Sequence, residues 1–170
     1  MNRSMLACVL LCASVLSAQD QPAKNRWAAW LPFLGTWVGS GSGQPGQGAG
    51  EFTLEPSLQG TVLVRHNFAE YPATKEKPAY RHDDLMVIYA DGDKTRADYW
   101  DNEGHVIHYG AEVSGNKLVF LSEETQPGPR FRLTYVKTSA DVLQLTFEIA
   151  PPNDRSAFKT YITAEVRRKK

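Results

Sequence analysis

Four histidines have the widest range of chemistry in this chain, because an imidazole can bind a metal, transfer a proton or bind the polar end of a ligand. They are His66, His82, His105 and His108. His105 and His108 are three positions apart, which places them on opposite faces of a β-strand, so they cannot bind one metal ion together. His82 and Asp84 share a face and could bind a metal, but we favour a polar strand start that faces solvent. No metal site is therefore predicted.

Two of the histidines are predicted to point into the protein. Alternation along the strands places His66 and His105 inward, beside Tyr109 and Tyr135. Buried polar groups need partners, so these side chains either satisfy one another in a core network or bind the polar end of a ligand. No Ser-His-Asp order, paired carboxylates or phosphate-binding loop accompanies them. The sequence therefore favours a binding protein over an enzyme.

Residues 41–46 read Gly-Ser-Gly-Gln-Pro-Gly, which matches the GxGxxG pattern of dinucleotide-binding loops. That pattern works by directing the N-terminus of a helix at a pyrophosphate. Here a proline lies inside the pattern, and the next element, residues 51–54, has the composition of a strand. We therefore predict a flexible hairpin loop, which could also act as a lid at the mouth of a barrel.

The elements that must position these side chains are short strands. Turn-forming segments rich in Gly, Asn, Asp, Pro and Ser recur about every twelve residues, and the intervals are aromatic and β-branched. The predicted strands cover residues 35–42, 50–56, 60–71, 80–90, 94–101, 105–114, 116–124, 129–138, 142–150 and 157–168. A meander of this length leaves two exposed edges unless its last strand pairs with its first. We predict an all-β fold, a ten-stranded up-and-down antiparallel β-barrel.

A short N-terminal cap is predicted before the first strand. Residues 27–34 are apolar and contain Pro32, and one helical turn would place Trp27, Trp30 and Leu31 on one side. Such a turn could cover one end of the barrel. The alternative is a leader that packs elsewhere on the surface.

Alternating apolar and polar residues indicate which side chains point inward. The inward sets are Val62, Val64, His66 and Phe68; His105, Ile107, Tyr109, Ala111 and Val113; Phe131, Leu133 and Tyr135; Leu143, Leu145, Phe147 and Ile149; Phe158, Thr160, Ile162, Ala164 and Val166. From these we predict a ligand site in the lumen, formed by His66, Phe68, His105, Tyr109, Phe131 and Tyr135. Apolar contact would supply affinity and the polar groups would set the orientation of the ligand.

Trp37 and Arg168 are predicted to close the barrel. Val166 faces inward, so Arg168 does too, and pairing of the last strand with the first would place its guanidinium over the Trp37 ring. Such a cation–π contact contributes about 0.5–2 kcal/mol. Arg167 would point outward. The alternative is an arginine that frays with the end of the strand.

Residues 1–18 have the pattern of a secretory signal, with Arg3 before an apolar run and small residues at its end. The apolar run is too short to span a bilayer. A lipid anchor on Cys8 is a weaker alternative. Cleavage after Ala18 would leave residues 19–34 as leader and cap and residues 35–170 as one barrel domain. Because Cys8 and Cys12 both precede that cleavage site, the exported chain would contain no cysteine and no disulfide.

Charge and composition limit the partners. The chain has 19 basic residues (Lys and Arg) and 19 acidic residues (Asp and Glu), and the one basic cluster is residues 167–170. Nucleic acid is therefore not an expected partner. We expect a small apolar or amphipathic molecule as ligand, no cofactor, no membrane span after cleavage, and a monomer or weak dimer in the periplasm or outside the cell.

The segment Gly35-Thr36-Trp37-Val38-Gly39-Ser40-Gly41 resembles the first strand of calycin-like barrels such as lipocalins. The chain looks most similar to exported bacterial domains of unknown function in that group, and more distantly similar to nitrobindins. The resemblance implies a lumen that binds a small molecule. Nitrobindins hold haem through a histidine near the end of the chain, whereas no histidine follows His108 here, and Tyr161 is predicted to face outward. The alternatives are a haem- or metal-dependent redox barrel and a structural module with a filled core.

Overall fold

The computed structural model describes residues 26–40, 48–124 and 128–170. The predicted signal, with Cys8 and Cys12, and the loop of residues 41–46 lie outside the described residues. No helix in the described segments is both long enough and apolar enough to cross a bilayer.

Ten antiparallel strands form a closed barrel in which each strand pairs with its neighbours in the sequence and the last pairs with the first. The strands are β1 (Gly35–Gly39), β2 (Ala49–Ser57), β3 (Val62–Tyr71), β4 (Tyr80–Asp91), β5 (Lys94–Asp101), β6 (Val106–Ser114), β7 (Lys117–Ser122), β8 (Arg130–Ser139), β9 (Val142–Ala150) and β10 (Lys159–Arg168). The predicted fold class is confirmed.

The seam between β1 and β10 is short. Its register pairs Trp37 with Arg168, Val38 with Arg167 and Gly39 with Val166. The Arg168 guanidinium lies 4.2 Å from the centroid of the Trp37 ring and donates to the carbonyl oxygen of Leu34 at 2.7 Å. The predicted contact between Trp37 and Arg168 is therefore present.

A 3-10 helix over Ala28–Phe33, the cap helix, covers the end of the barrel next to this seam. Trp27, Trp30 and Phe33 are buried, whereas Leu31 is 62% exposed. The prediction that Leu31 packs inward is wrong because a 3-10 helix has three residues per turn, so positions 27, 30 and 33 share a side. The Trp37 indole donates to the carbonyl oxygen of Phe33 at 2.9 Å and fixes the cap helix to β1.

The half of the barrel below the cap helix, the closed half, is filled. Its fully buried side chains come from both sides of the ring: Trp37, Leu63, Ile88, Ala97, Leu118, Phe120 and Leu143. Neighbouring aromatic rings continue inward, from Trp30 to Phe120 at 5.9 Å and from Phe120 to Tyr135 at 6.5 Å between centroids.

Strand β3 presents the opposite face to the one predicted. Leu63 and Arg65 are buried, and His66 is exposed. The prediction that Val62, Val64, His66 and Phe68 point inward is therefore wrong. The physical reason is an ion pair inside the barrel between the Arg65 guanidinium and the Asp84 carboxylate on the adjacent strand β4. That pairing makes a charged face the interior one.

Strand β10 is interrupted by a β-bulge between Thr160 and Ile162. Ile162 pairs with the inward residue Phe147, but Thr160 pairs with Glu148, which faces out. The prediction holds for Ile162, Ala164 and Val166 and is wrong for Phe158 and Thr160. The extra residue in the bulge shifts alternation by one position, so the start of the strand turns its other face inward.

Candidate functional site

The end of the barrel opposite the cap helix, the mouth half, is the candidate site. Eight inward side chains there are half-buried, whereas most of the large inward side chains of the closed half are fully buried. The eight are Asn67, His82, Tyr99, Ile107, Phe131, Phe147, Ile149 and Ile162. Solvent therefore reaches the interior from this end.

The wall formed by β3–β5, the polar wall, is built around a buried ion pair. The Arg65 guanidinium bonds to Asp84, and both side chains are at most 5% exposed. Asn67 donates to the second oxygen of the same carboxylate at 2.7 Å. Although burial disfavours the charged guanidinium, the Asp84 carboxylate raises the pKa of Arg65, so the arginine stays charged.

Hydrogen bonds continue from this pair to the rim. His82 Nε2 lies 3.3 Å from the Asp84 carboxylate and 3.2 Å from the Tyr99 hydroxyl. Tyr99 donates to Asp101 at 3.1 Å, and Asp101 also bonds to His105 at 2.8 Å. A continuous polar chain therefore links the exposed rim to the buried arginine.

The charge states along this chain follow from its contacts. Hydrogen bonding to Asp84 raises the pKa of His82 against the opposing effect of burial, and Glu103, 2.9 Å from Nδ1, adds to the increase. Tyr80 and His82 donate to Glu103 and hold the pKa of its carboxyl below the usual range. A protonated His82 would then donate to one carboxylate from each ring nitrogen.

Asp101 and Tyr99 have pKa values shifted in opposite directions. Burial opposes ionisation of Asp101, but hydrogen bonds from His105 and Tyr99 outweigh it and lower the pKa of the carboxyl. Burial, with Asp84 and Asp101 nearby, raises the pKa of Tyr99, which keeps its hydroxyl neutral. Tyr99 is therefore a donor held between two carboxylates.

Arg65 and Tyr135 separate the two halves of the barrel. The Tyr135 hydroxyl is buried next to the Arg65 guanidinium without a well-formed hydrogen bond. The Arg65 guanidinium lies 5.2 Å from the centroid of the Phe52 ring, and that ring is 5.2 Å from Tyr135. These three side chains form a floor below the mouth half.

The wall formed by β8–β10, the apolar wall, carries hydrocarbon and aromatic side chains. The rings of Phe131 and Phe147 stack with centroids 6.0 Å apart and planes 5° apart. Tyr161, in the bulge, meets Phe147 edge to face at 6.3 Å. The ring of Tyr161 thus contacts an inward side chain, although the sequence predicts it to face outward.

The polar and apolar walls face each other across the lumen. In the closed strand order, β4 is five steps from β9 in either direction around the ring, and β3 is five steps from β8. A molecule inside the mouth half would therefore have hydrogen-bonding groups on one side and aromatic carbon on the other.

The structure places the six predicted site residues in three locations. Tyr109, Phe131 and Tyr135 point into the barrel. His105 is at the rim, with its side chain 57% exposed and bonded to Asp101. His66 and Phe68 are on the outer face, where they line a groove of about 640 Å³. The predicted contact of His66 and His105 with Tyr109 and Tyr135 inside the lumen is wrong. His66 points outward because β3 presents its other face, and His105 stays at the rim because it bonds to Asp101.

Sequence reasoning missed the residues that make the polar wall. These are Arg65, Asn67, His82, Asp84, Tyr99 and Asp101. A signal for them exists in the sequence, because alternation puts Arg65 and Asn67 on one face of β3 and His82 and Asp84 on one face of β4. Opposite charges on the same face of adjacent strands indicate a possible interior pair.

A haem, which the resemblance to nitrobindins implies, needs an axial ligand that points into the lumen. His66 is on the outer face, His105 bonds to Asp101, and His108 bonds to Asp98 on the outside of the barrel. Both ring nitrogens of His82 are engaged. The four histidines therefore do not fit haem ligation.

Within the described segments, no group of three or more His, Asp or Glu side chains is placed to hold a metal ion. No protein family model matches the chain, and no curated protein matches it.

Proposed function

We propose that this protein binds a small amphipathic molecule in the mouth half of its barrel. The apolar part of the molecule lies against the stacked rings of Phe131 and Phe147, and its hydrogen-bonding part lies against the polar wall. The observation that carries the proposal is the change in burial along the barrel. Most of the large inward side chains of the closed half are fully buried, whereas eight inward side chains of the mouth half are half-buried, where two chemically different walls face each other.

Affinity would come mainly from the apolar wall. Burying about 200 Å² of apolar surface contributes roughly 5 kcal/mol before the cost of association. The polar wall is already hydrogen-bonded within itself, so it orients the ligand through the groups that keep free capacity, such as the Asn67 amide and the Tyr99 hydroxyl. This mode of binding is lipocalin-like and agrees with a closed ten-stranded barrel.

Export belongs to the same proposal. Residues 1–18 would be removed as a secretory signal, which would deliver the barrel to the periplasm or the outside of the cell. Intact-mass measurement of the protein recovered from a secreting host tests this. A mature chain that begins at Gln19 supports export, and a full-length chain retained in the cytoplasm contradicts it.

Two adjacent residues of β10 provide a matched test of lumen binding. Ile162 points into the mouth half and Thr163 points outward. Tryptophan at position 162 should fill the lumen, whereas tryptophan at position 163 adds the same bulk outside. The probe is N-phenyl-1-naphthylamine, an apolar amine whose emission rises when it leaves water.

We expect the wild-type protein and Thr163→Trp to bind the dye and Ile162→Trp to bind it at least about tenfold more weakly, a difference of about 1.4 kcal/mol. Circular dichroism confirms that each variant keeps its fold. Dye binding that is equal in the two variants, or absent from the wild type, would contradict the proposal.

A further inference from the structure

The outer face of β2–β5 carries the groove that contains His66 and Phe68, here called the outer groove. It runs across the strands between two rows of outward side chains. The first row is in register across four strands: Thr53, His66, Leu85 and Trp100. The second row consists of Glu51, Phe68 and Asp83, followed by Asn102.

The floor between the rows is backbone. It is formed at Asn67, Asp84 and Asp101, whose side chains point into the barrel. The two rows are two residues apart along each strand, or about 7 Å, and four strands give a length of about 14 Å. Because the backbone of these strands is already paired on both sides, the groove has no strand edge for a peptide to join. Its shape suits a narrow, elongated ligand that lies across the strands.

Each of the two rows along the outer groove contains an aromatic side chain. Trp100 is 40% exposed, although tryptophan is usually covered in a folded protein. Phe68, on the opposite row, is held in place by the Arg81 guanidinium, 4.2 Å from its ring centroid. The faces of aromatic rings carry partial negative charge and attract polarised C–H groups.

The charged groups at the groove are already neutralised. Glu51 bonds to Lys169 at 2.5 Å, and Asp83 bonds to Arg81 at 2.9 Å. In contrast, the side chains of Thr53 and His66 and the Trp100 indole nitrogen make no hydrogen bond to any described residue. The outer groove therefore offers unused hydrogen-bonding groups beside aromatic faces, but no unpaired charge.

We propose that the outer groove binds an uncharged linear oligosaccharide. Sugars combine C–H faces that stack on aromatic rings with hydroxyl groups that both donate and accept hydrogen bonds, which matches Trp100 and Phe68 beside His66 and Thr53. An ionic ligand would find its countercharges occupied, and a purely apolar ligand would leave the polar groups unpaired. This site lies on the opposite side of the sheet from the mouth half and is independent of lumen binding.

Trp100 allows a direct measurement. The other three tryptophans are at most 4% exposed, so acrylamide quenching reports mainly on Trp100. We expect at least one neutral trisaccharide, among cellotriose, maltotriose, xylotriose and N,N′,N″-triacetylchitotriose, to protect Trp100 at about 10 mM, a concentration that detects millimolar dissociation constants.

Variants distinguish binding in the outer groove from a nonspecific effect of the sugar on acrylamide quenching. His66→Ala and Phe68→Ala should each weaken binding at least about fivefold, while Tyr89→Ala, an outward aromatic of β4 outside the groove, should leave it unchanged. Ile162→Tyr, which fills the mouth half without adding a tryptophan, should also leave it unchanged. The proposal is overturned if no neutral trisaccharide protects Trp100, if trigalacturonate protects it better than every neutral sugar, or if His66→Ala and Phe68→Ala bind as the wild type does.

Discussion

Replacing Asp84 with alanine tests whether one carboxylate makes it possible to bury a charge inside this barrel. The substitution leaves the Arg65 guanidinium, 5% exposed, without its countercharge. It also removes an acceptor from Asn67 and a partner from His82. Breaking a buried pair in this way costs about 3–5 kcal/mol. At about 2–4 °C per kcal/mol for a domain of this size, the midpoint of thermal unfolding should fall by roughly 6–20 °C.

The assay is urea unfolding followed by the fluorescence of the buried tryptophans, and the slope m should stay constant because the native barrel keeps its size. Asp83→Ala is the matched control. That carboxylate is the next residue of the same strand, points outward and is half-exposed beside Arg81, so its removal should have no measurable effect.

A double variant separates the loss of a charge from the loss of packing. Arg65→Met with Asp84→Leu removes both charges and fills the space with apolar side chains of similar total volume, so it should recover most of the stability or exceed the wild type by about 1–4 kcal/mol. The reasoning is refuted if Asp84→Ala lowers the free energy of unfolding by less than about 1 kcal/mol. It is also refuted if the double variant is less stable than Asp84→Ala.

Three further predictions concern the rim, the seam and one strand contact. The pKa of His82 is raised above the usual histidine value of about 6.5, so the protonated form stabilises the fold below that pH, and the stabilisation is lost as pH rises through the folded pKa. Urea unfolding at a series of pH values should therefore show the wild type losing stability relative to His82→Gln above about pH 6.5. Parallel stability curves for the two proteins would contradict this. Arg168→Ala should lower the free energy of unfolding by about 1–3 kcal/mol by removing a cation–π contact and a hydrogen bond. Arg167→Ala should have no measurable effect. Equal unfolding midpoints for the two variants would be evidence that Arg168 does not help to close the barrel. Gly50→Ala would place a Cβ atom 2.2 Å from a backbone oxygen of β3 and should destabilise the fold by about 1–3 kcal/mol, whereas Gly110→Ala, whose nearest neighbour is at 3.9 Å, should be tolerated in thermal unfolding.

The architecture could be predicted because it depends on local signals. Turn residues recur at regular intervals, strand composition lies between them, and an unpaired edge is unfavourable at each end of the meander. The contact between Trp37 and Arg168 followed from the same logic, because closure brings those two strands together and alternation sets the direction of the arginine.

The interior face of β3 could not be predicted from that strand alone. Valine at positions 62 and 64 and Phe68 make one face more apolar, and a rule based on hydrophobicity therefore chooses it. The structure buries Arg65 instead because Asp84, on another strand, neutralises it. The energy of a buried charge depends on its partner, and the partner is known only when the register between β3 and β4 is known.

Two other differences between the predicted and the observed inward faces, in β10 and in the cap helix, have geometric origins. The bulge in β10 inserts one residue at Tyr161 and reverses the alternation before it, which left Thr160 outside. In the cap helix, a 3-10 repeat replaced the expected helical spacing and left Leu31 in solvent. One extra residue or a slightly tighter helical turn is enough to change which side chains point inward. Amino-acid composition predicts neither the bulge nor the tighter turn.

The short seam also determines how this molecule can assemble. Arg168 and Leu34, which meet there, are 134 positions apart in the chain, while every other strand pairing joins neighbours in sequence. We therefore expect hairpins to form early and ring closure to come last, because contacts between distant positions carry the largest loop entropy. Until closure, both terminal strands expose unpaired backbone that a second chain could capture. The three residue pairs of the seam thus separate a closed ring from an open sheet that can exchange strands with its neighbours.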